Sequence, residues 1–281
     1  MKIAAFNVKR LGLKKVKDES VVPYLIKIMS QYSVVVILEV WDMSGEVMET
    51  LLQKLNSSSC NQSNPFSMTT SAKLKRDTYK EQYVCFYREA DVTLRACYKH
   101  PDDQVGNVNA LDRKPYILRF HCPNTILGSM VLILVHTKPA DAERELRHLY
   151  DVVQAVKKKW RTRKIVIVGD FNADGRYLSQ VQKSNIQICS PPYHWLMRDD
   201  VDTTSSKCTD NTYGRVVVFG KVTLRAVVPD SAKPFNFQRE FNLTDEQALR
   251  ISDHYPVEVE LIKTRGGRLR RRKFKASHLW A

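Results

Sequence analysis

The segment Ile165-Val166-Ile167-Val168-Gly169-Asp170-Phe171-Asn172-Ala173-Asp174 sets a buried strand beside two oxygen-bearing side chains. Its first four residues are β-branched, too few for an independent helix and suited to a strand covered on both faces. Gly169 closes the run, and in an extended continuation Asp170 and Asn172 project to the same side. A carboxylate and a carboxamide then stand together at the mouth of the strand. Gly, Asp and Asn also punctuate ordinary turns, so the segment alone leaves a plain turn and a ligand site both open.

The same ending recurs along the chain. Ile3 to Phe6 reads as a strand closed by Asn7, Val34 to Leu38 as one closed by Glu39, and Met130 to Val135 as one closed by His136. Ser252-Asp253-His254-Tyr255-Pro256 leads into the alternating run Val257-Glu258-Val259-Glu260-Leu261. Helical spacing marks Val21 to Met29, with Pro23 near its start, and Gly45 to Leu55. Ala140 to Trp160 presents Leu146, Leu149, Val152, Val153 and Val156 on one face, and Thr244 to Arg250 opens on a capping Thr-Asp-Glu. Between these, Tyr83 to Tyr87, Val92 to Tyr98 and Tyr116 to Phe120 form an antiparallel section. Ser57 to Lys75 reads as a polar loop, Tyr193 to Met197 as an aromatic-containing regular run, and Arg215 to Phe219 and Thr223 to Val228 as later strands. Strand-helix units at both ends with antiparallel strands within fit an α/β (α+β) fold, two packed mixed sheets with helices on their outer faces.

A chain of 281 residues can bury a substantial core as one domain. Its 45 Lys and Arg against 30 Asp and Glu give a net charge of +15, which favours polyanionic partners. The six cysteines, at 60, 85, 97, 122, 189 and 208, form no C-x-x-C pair, which disfavours a structural zinc site. Cys85 and Cys97 read as small buried hydrophobes, and no disulfide framework is expected. No signal-peptide pattern and no apolar run of membrane-spanning length is visible, so an intracellular protein without a membrane partner is expected. Residues 263–275 hold eight basic side chains, including Arg270-Arg271-Arg272-Lys273, and read as a disordered tail following a domain of residues 1–262. Without those eight the formal charge falls from +15 to +7.

Asn7, Glu39, Asp170, Asn172 and Asp253 are hard oxygen donors, the type that holds Mg²⁺ while leaving positions for water and phosphate. His136 and His254 add two proton carriers effective near neutral pH. Hydrolysis of a phosphodiester needs one such group to activate water and another to protonate the departing oxygen. The loop Asp202-Thr203-Thr204-Ser205-Ser206 is also dense in oxygens and reads either as a solvated loop or as a calcium ligand set.

With these residues in place, the chain resembles the deoxyribonuclease I family. The resemblance rests on Phe6-Asn7-Val8, Leu38-Glu39-Val40, Tyr79-Lys80-Glu81-Gln82-Tyr83, His136-Thr137-Lys138-Pro139, Gly169 to Asp174, and Ser252 to Pro256, in that family's order and over nearly all of the chain to about residue 262. It implies a four-layer sandwich and Mg²⁺- and Ca²⁺-dependent endonucleolytic cleavage of double-stranded DNA to 5′-phosphorylated ends. By the same resemblance Glu81 orients His136, the general acid, and His254 is the general base. Glu39 and Asn7 hold the metal, Asp170 and Asn172 bind metal and scissile phosphate, and Asp253 supports the cluster. Tyr79 matches a minor-groove aromatic, and Lys9 and Arg113 match phosphate contacts.

Two departures follow. Tyr213-Gly214-Arg215 replaces the family's Tyr-Asp-Arg, so the aspartate expected beside His254 is absent and reduced activity is expected. Restoring Gly214→Asp is expected to raise the rate. The positions of the family's nearby disulfide are Gly175 and Asn211, which agrees with a reducing compartment. Trp41 takes the place of an arginine that some members carry after Glu-Val. Three readings remain: an endodeoxyribonuclease, a catalytically weak or silent DNA-binding protein on the same scaffold, and a lipid phosphatase of the wider superfamily, which the net charge and Tyr79 to Tyr83 disfavour. The basic tail reads as a nuclear localisation signal or a DNA contact, and a monomer is expected.

Overall fold

The computed structural model describes residues 1–42, 44–76, 79–99, 111, 113–205 and 210–264. The chain runs β1 (Lys2–Leu11), α1 (Leu13–Val16), α2 (Val22–Met29), β2 (Val34–Val40), α3 (Glu46–Ser57), β3 (Phe66–Thr70), β4 (Leu74–Arg76) and β5 (Tyr79–Arg88). It continues β6 (Thr93–Lys99), β7 (Tyr116–Cys122), β8 (Gly128–His136), α4 (Ala142–Trp160), β9 (Ile165–Asp170) and α5 (Gln180–Ser184). The last elements are β10 (Tyr193–Trp195), β11 (Gly214–Phe219), α6 (Gly220–Leu224), β12 (Lys233–Pro234), α7 (Phe237–Glu240), α8 (Asp245–Ile251) and β13 (Val257–Glu260). One sheet is ordered β12-β13-β1-β2-β5-β3, with β4 also paired to β5; the other is ordered β10-β11-β9-β8-β7-β6. Each sheet has a parallel pair, β1–β2 and β8–β9, among antiparallel ladders, so both are mixed.

The continuous apolar runs are explained by burial on both faces. Val34, Val36 and Leu38 join Leu132, Leu134, Val166 and Val168 in the core between the sheets. Their neighbours Val35 and Ile37 face outward onto α2 and α3, through Leu25, Ile28 and Leu51. Ile165 and Ile167 pack on the opposite side against Leu146, Leu149 and Val153 of α4. The layers are therefore helix, sheet, sheet, helix, as expected. No helix among the described residues is long and apolar enough to cross a membrane.

Several boundaries differ from the sequence reading. Thr223 to Val228 is not a strand: Gly220, with φ +77, turns the chain directly into α6. The polar loop Ser57 to Lys75 contains β3 and most of β4, because β5 pairs with both along successive stretches of its length. β1 does not stop at Asn7 but bulges and re-pairs at Leu11. Cys97 is exposed, since β6 is the edge strand of its sheet, whereas Cys85 and Cys122 are buried; all five described cysteines are free thiols. Residues 265–281, and with them most of the basic tail, lie outside the described residues.

Gly169 shows why glycine interrupts the decisive strand. Its φ is +148, and a Cβ there would lie 1.9 Å from the Val135 carbonyl oxygen. Only a residue without a side chain lets β9 run against β8 at this point, immediately before His136 pairs with Asp170. Gly169→Ala is therefore expected to destabilise the fold by at least about 3 kcal/mol, from strain and overpacking together. Denaturant unfolding measures this, and a loss below about 1 kcal/mol would contradict the close approach.

Candidate active site

The expected residues converge where β1 bulges after Asn7 and at the carboxyl ends of β2, β8 and β9. Asp170 is the centre: it lies opposite His136 on β8 and opposite Gly214 on β11. Its Oδ2 accepts a hydrogen bond from Asn7 Nδ2 at 3.1 Å, and the same nitrogen donates to Glu39 Oε1 at 3.0 Å. Oδ1 of Asp170 accepts the Asn172 backbone N–H at 3.2 Å, and Asn172 Nδ2 donates to the Thr137 carbonyl at 3.0 Å. Asn7, Asp170 and Asn172 are buried, while the Glu39 side chain keeps 24% of its surface exposed, so the cluster opens on that side. Lys9, Arg10, Glu39 and Asn172 all have left-handed φ, between 39° and 56°. Such conformations cost energy in non-glycine residues and persist only where the surroundings hold them.

His136 is buried above this carboxylate pair. Its Nε2 lies 3.8 Å from Glu39 Oε1 and 3.8 Å from Asp170 Oδ2, and its Nδ1 lies 3.7 Å from Glu81 Oε2. Glu81 is in turn ion-paired with Arg113, which also donates to the carbonyls of His136 and Thr137 at 3.5 and 3.3 Å. Arg113 is buried, so the structure puts it behind Glu81 rather than on an outward phosphate-facing surface. The Tyr79 backbone belongs to β5, but its side chain lies outside the described residues.

The second half of the site follows α8. Ser252 Oγ donates to the Asn7 carbonyl at 2.6 Å and accepts the His254 backbone N–H at 3.1 Å, which joins the two halves. His254 Nε2 lies 3.8 Å from Asp170 Oδ2 and 3.8 Å from Asp253 Oδ1. Both imidazoles thus approach the same oxygen of Asp170. Asp253 Oδ2 is paired with Lys9 Nζ at 2.6 Å, so both the metal-side residue and the phosphate contact of the sequence reading face each other. Burial pushes the Asp253 carboxyl up, but the charge of His254 and the hydrogen bond and charge of Lys9 outweigh it and leave its pKa below the ordinary range. A depressed carboxyl pKa contributes stability present above the ordinary value and lost as pH falls through the folded value. Lys9→Met is expected to raise the Asp253 pKa and remove part of that acid-side stability; an unmoved carboxyl titration by NMR would contradict the pairing.

At the expected position of the missing aspartate, the Tyr213 ring lies against His254, with centroids 6.3 Å apart. A Cβ on Gly214 would lie 2.6 Å from Val257 Cγ1. Val257 has taken the space beside the glycine, so the expectation that Gly214→Asp alone restores the rate needs correction: the single change collides with β13. Asp210, four residues before Gly214 and the nearest acid along the chain, is exposed and lies outside any strand. Gly175 and Asn211 do face each other, a Cβ on Gly175 falling 2.6 Å from Asn211 Oδ1, and neither is cysteine. Of the loop from Asp202 to Ser206, the described part, residues 202–205, is largely enclosed, and Ser206 lies outside the described residues. Thr203, Thr204 and Ser205 are buried, and Asp202 Oδ1 accepts from Thr204 N, Thr204 Oγ1 and Asn211 N. Thr203 Oγ1 accepts the Tyr213 and Gly214 N–H groups, a supporting role that the sequence did not reveal because its partners are distant backbone groups. Trp41 follows Val40, and the Arg10 guanidinium lies 5.2 Å from its ring centroid.

Two carboxylates sharing one neutral amide repel each other, and a cation relieves that repulsion. Hard oxygens with a partly open rim suit an ion such as Mg²⁺, which binds through one or two carboxylates and keeps several waters. Among the described residues no group of three or more His, Cys, Asp or Glu is arranged to hold a metal ion.

A family model described as "Endonuclease/Exonuclease/phosphatase family" matches residues 4–254. Deoxyribonuclease-1 of Sus scrofa is 39% identical over 264 residues, covering 93% of this chain and 91% of that protein. Deoxyribonuclease gamma of Mus musculus is 34% identical over 266 residues, with 94% and 86% covered. Deoxyribonuclease-1-like 1 of Homo sapiens is 39% identical over 261 residues, with 92% and 84% covered. Among solved structures, the human Nocturnin catalytic domain with bound sulfate anion aligns with a TM-score of 0.60 at 14% identity, covering 94% of each chain. D. rerio TDP2 complexed with single strand DNA product gives 0.59 at 13% identity, covering 92% of this chain and 97% of that one. At such identities the structural likeness speaks for the fold.

Proposed function

The chain belongs to the endonuclease/exonuclease/phosphatase family, within it to the deoxyribonuclease I group, and we propose that it is a metal-dependent endodeoxyribonuclease acting on double-stranded DNA, slowed by Gly214. The observation that carries the reading is the approach of His136 Nε2 and His254 Nε2 to one oxygen of Asp170, each at 3.8 Å, beside Glu39. Two imidazoles flanking a carboxylate cluster suit attack and departure on opposite sides of a phosphorus atom.

In this reading His254 takes a proton from water, and the water oxygen bonds to phosphorus as the bond to the 3′-oxygen breaks. His136 gives a proton to that departing oxygen, which leaves a 3′-hydroxyl and a 5′-phosphate. Glu81, braced by Arg113, holds His136 in orientation, as an acid does for a histidine elsewhere. Asn7 spaces Glu39 from Asp170. Glu39, with Asn7 and Asp170, would hold Mg²⁺, which supplies charge neutralisation for the phosphate; the Ca²⁺ requirement rests on the family resemblance alone. Asn172 and Lys9 would meet phosphate, with Tyr79 on the groove side. His254 lacks the family's aspartate, which supports slow turnover and keeps a catalytically weak DNA-binding protein as the second reading.

The test is incubation of purified protein with supercoiled plasmid in Mg²⁺ and Ca²⁺, against EDTA. Cation-dependent nicks carrying 5′-phosphate support the first reading. Duplex binding without nicking supports the second. The basic segment 263–275 supports a nuclear, intracellular location and added DNA affinity; removal of residues 263–281 would leave imaging unchanged and the salt dependence of binding unaltered if that is wrong. A monomer is the state proposed, to be read by light scattering.

A further inference from the structure

Lys15 belongs to none of the motifs, and its neighbours Leu13 and Lys14 on α1 are exposed. Its own ammonium turns inward and donates to three backbone carbonyls: Val8 at 2.7 Å, Lys9 at 2.8 Å and Ile251 at 2.9 Å. An ammonium has three donors and no acceptor, so the match of protons to oxygens is complete. Val8 and Lys9 lie in the bulge of β1 just after Asn7, where Lys9 and Arg10 are left-handed. Ile251 is the last residue of α8, directly before Ser252-Asp253-His254. The bulge sends the Arg10 N–H to Glu39 Oε2 at 3.2 Å and Lys9 Nζ to Asp253 at 2.6 Å.

We propose that Lys15 is a positioning residue: an internal cation that ties the β1 bulge to the end of α8 and so sets the spacing between the Asn7–Glu39 half of the site and the Asp253–His254 half. Three carbonyl dipoles aimed at one point repel each other without a positive charge among them, and the strained bulge loses the two bonds to its Val8 and Lys9 carbonyls, and its tie to Ile251, once that charge is gone. The charged groups facing the ammonium agree with this placement. Burial pushes its pKa down to about 8, Asp253 and Glu39 pull it up, and Lys9 pushes it down.

The effect on rate rests on the nuclease reading, whereas the effect on geometry does not, and the test separates them. Lys15→Met keeps the aliphatic stem and removes the donors. It is expected to lower kcat for plasmid nicking by about 100-fold with KM little changed, the loss typical of reacting groups displaced by about 1 Å. Lys15→Ala opens the carbonyl cradle, and methylammonium is expected to restore about tenfold of its rate, saturably, while giving His136→Ala nothing. Independently of any turnover, the ring resonances of His254 are expected to shift in Lys15→Met and to return toward the native position in Lys15→Ala with methylammonium. Should the native protein prove inactive, the resonances alone decide. A folded Lys15→Met with native His254 resonances, or a Lys15→Ala protein that methylammonium does not affect, would overturn the assignment.

Discussion

His136→Ala is expected to lower the rate of DNA nicking by about 10²- to 10⁴-fold, the usual worth of a positioned proton donor. The imidazole is buried at the end of β8, and its Nε2 is the nitrogen turned toward Glu39 and Asp170 at 3.8 Å. Water can enter the space left by the ring, but it cannot deliver a proton to the departing oxygen with the same basicity or orientation. Because Glu81 Oε2 lies 3.7 Å behind the His136 Nδ1, Glu81→Gln is expected to act in the same direction, as loss of an orienting acid does elsewhere. Steady-state kinetics on plasmid should show the loss in kcat. A loss of less than about threefold would remove His136 from the chemistry, since that is far below the range for acid-base catalysis.

The second large effect runs upward. Gly214→Asp combined with Val257→Ala is expected to raise the rate by about 10²-fold or more, toward the limit of about 10⁴ that an orienting carboxylate supplies to a histidine. Val257 must change as well, because its Cγ1 would stand 2.6 Å from a Cβ at position 214. Gly214→Asp alone is expected to cost about 1 to 3 kcal/mol of stability through overpacking, so its kinetic effect is masked. Val257→Ala alone serves as the control for the cavity it leaves. If the double variant folds, binds duplex DNA and nicks it no faster than the parent, the missing aspartate is not what limits this protein.

The strands were legible where burial on both faces demands an unbroken apolar run, as at Val34 to Leu38 and Ile165 to Val168. Each ended in a polar residue that had no reason to be there except proximity to other strand ends, and Asn7, Glu39, His136 and Asp170 do meet. Thr223 to Val228 has the β-branched composition of a strand, but that is a local signal, and the turn at Gly220 overrides it. Three features depended on partners far away along the chain: Val257 filling the space beside Gly214, Arg113 folded behind Glu81, and the carbonyls gathered on Lys15. No spacing rule in a single sequence reports such encounters, since backbone carbonyls carry no residue identity.

The chemistry proposed for this site calls on a divalent cation that Glu39, with Asn7 and Asp170, would hold. A crystal soaked in Mn²⁺, with anomalous scattering recorded for the native protein and for Glu39→Gln, locates the ion directly. The native protein should show a peak in contact with the Glu39 carboxylate beside Asn7 and Asp170, and the variant should lose it together with cation-dependent nicking. A peak elsewhere, or none there in a protein that still nicks DNA, would contradict the site described.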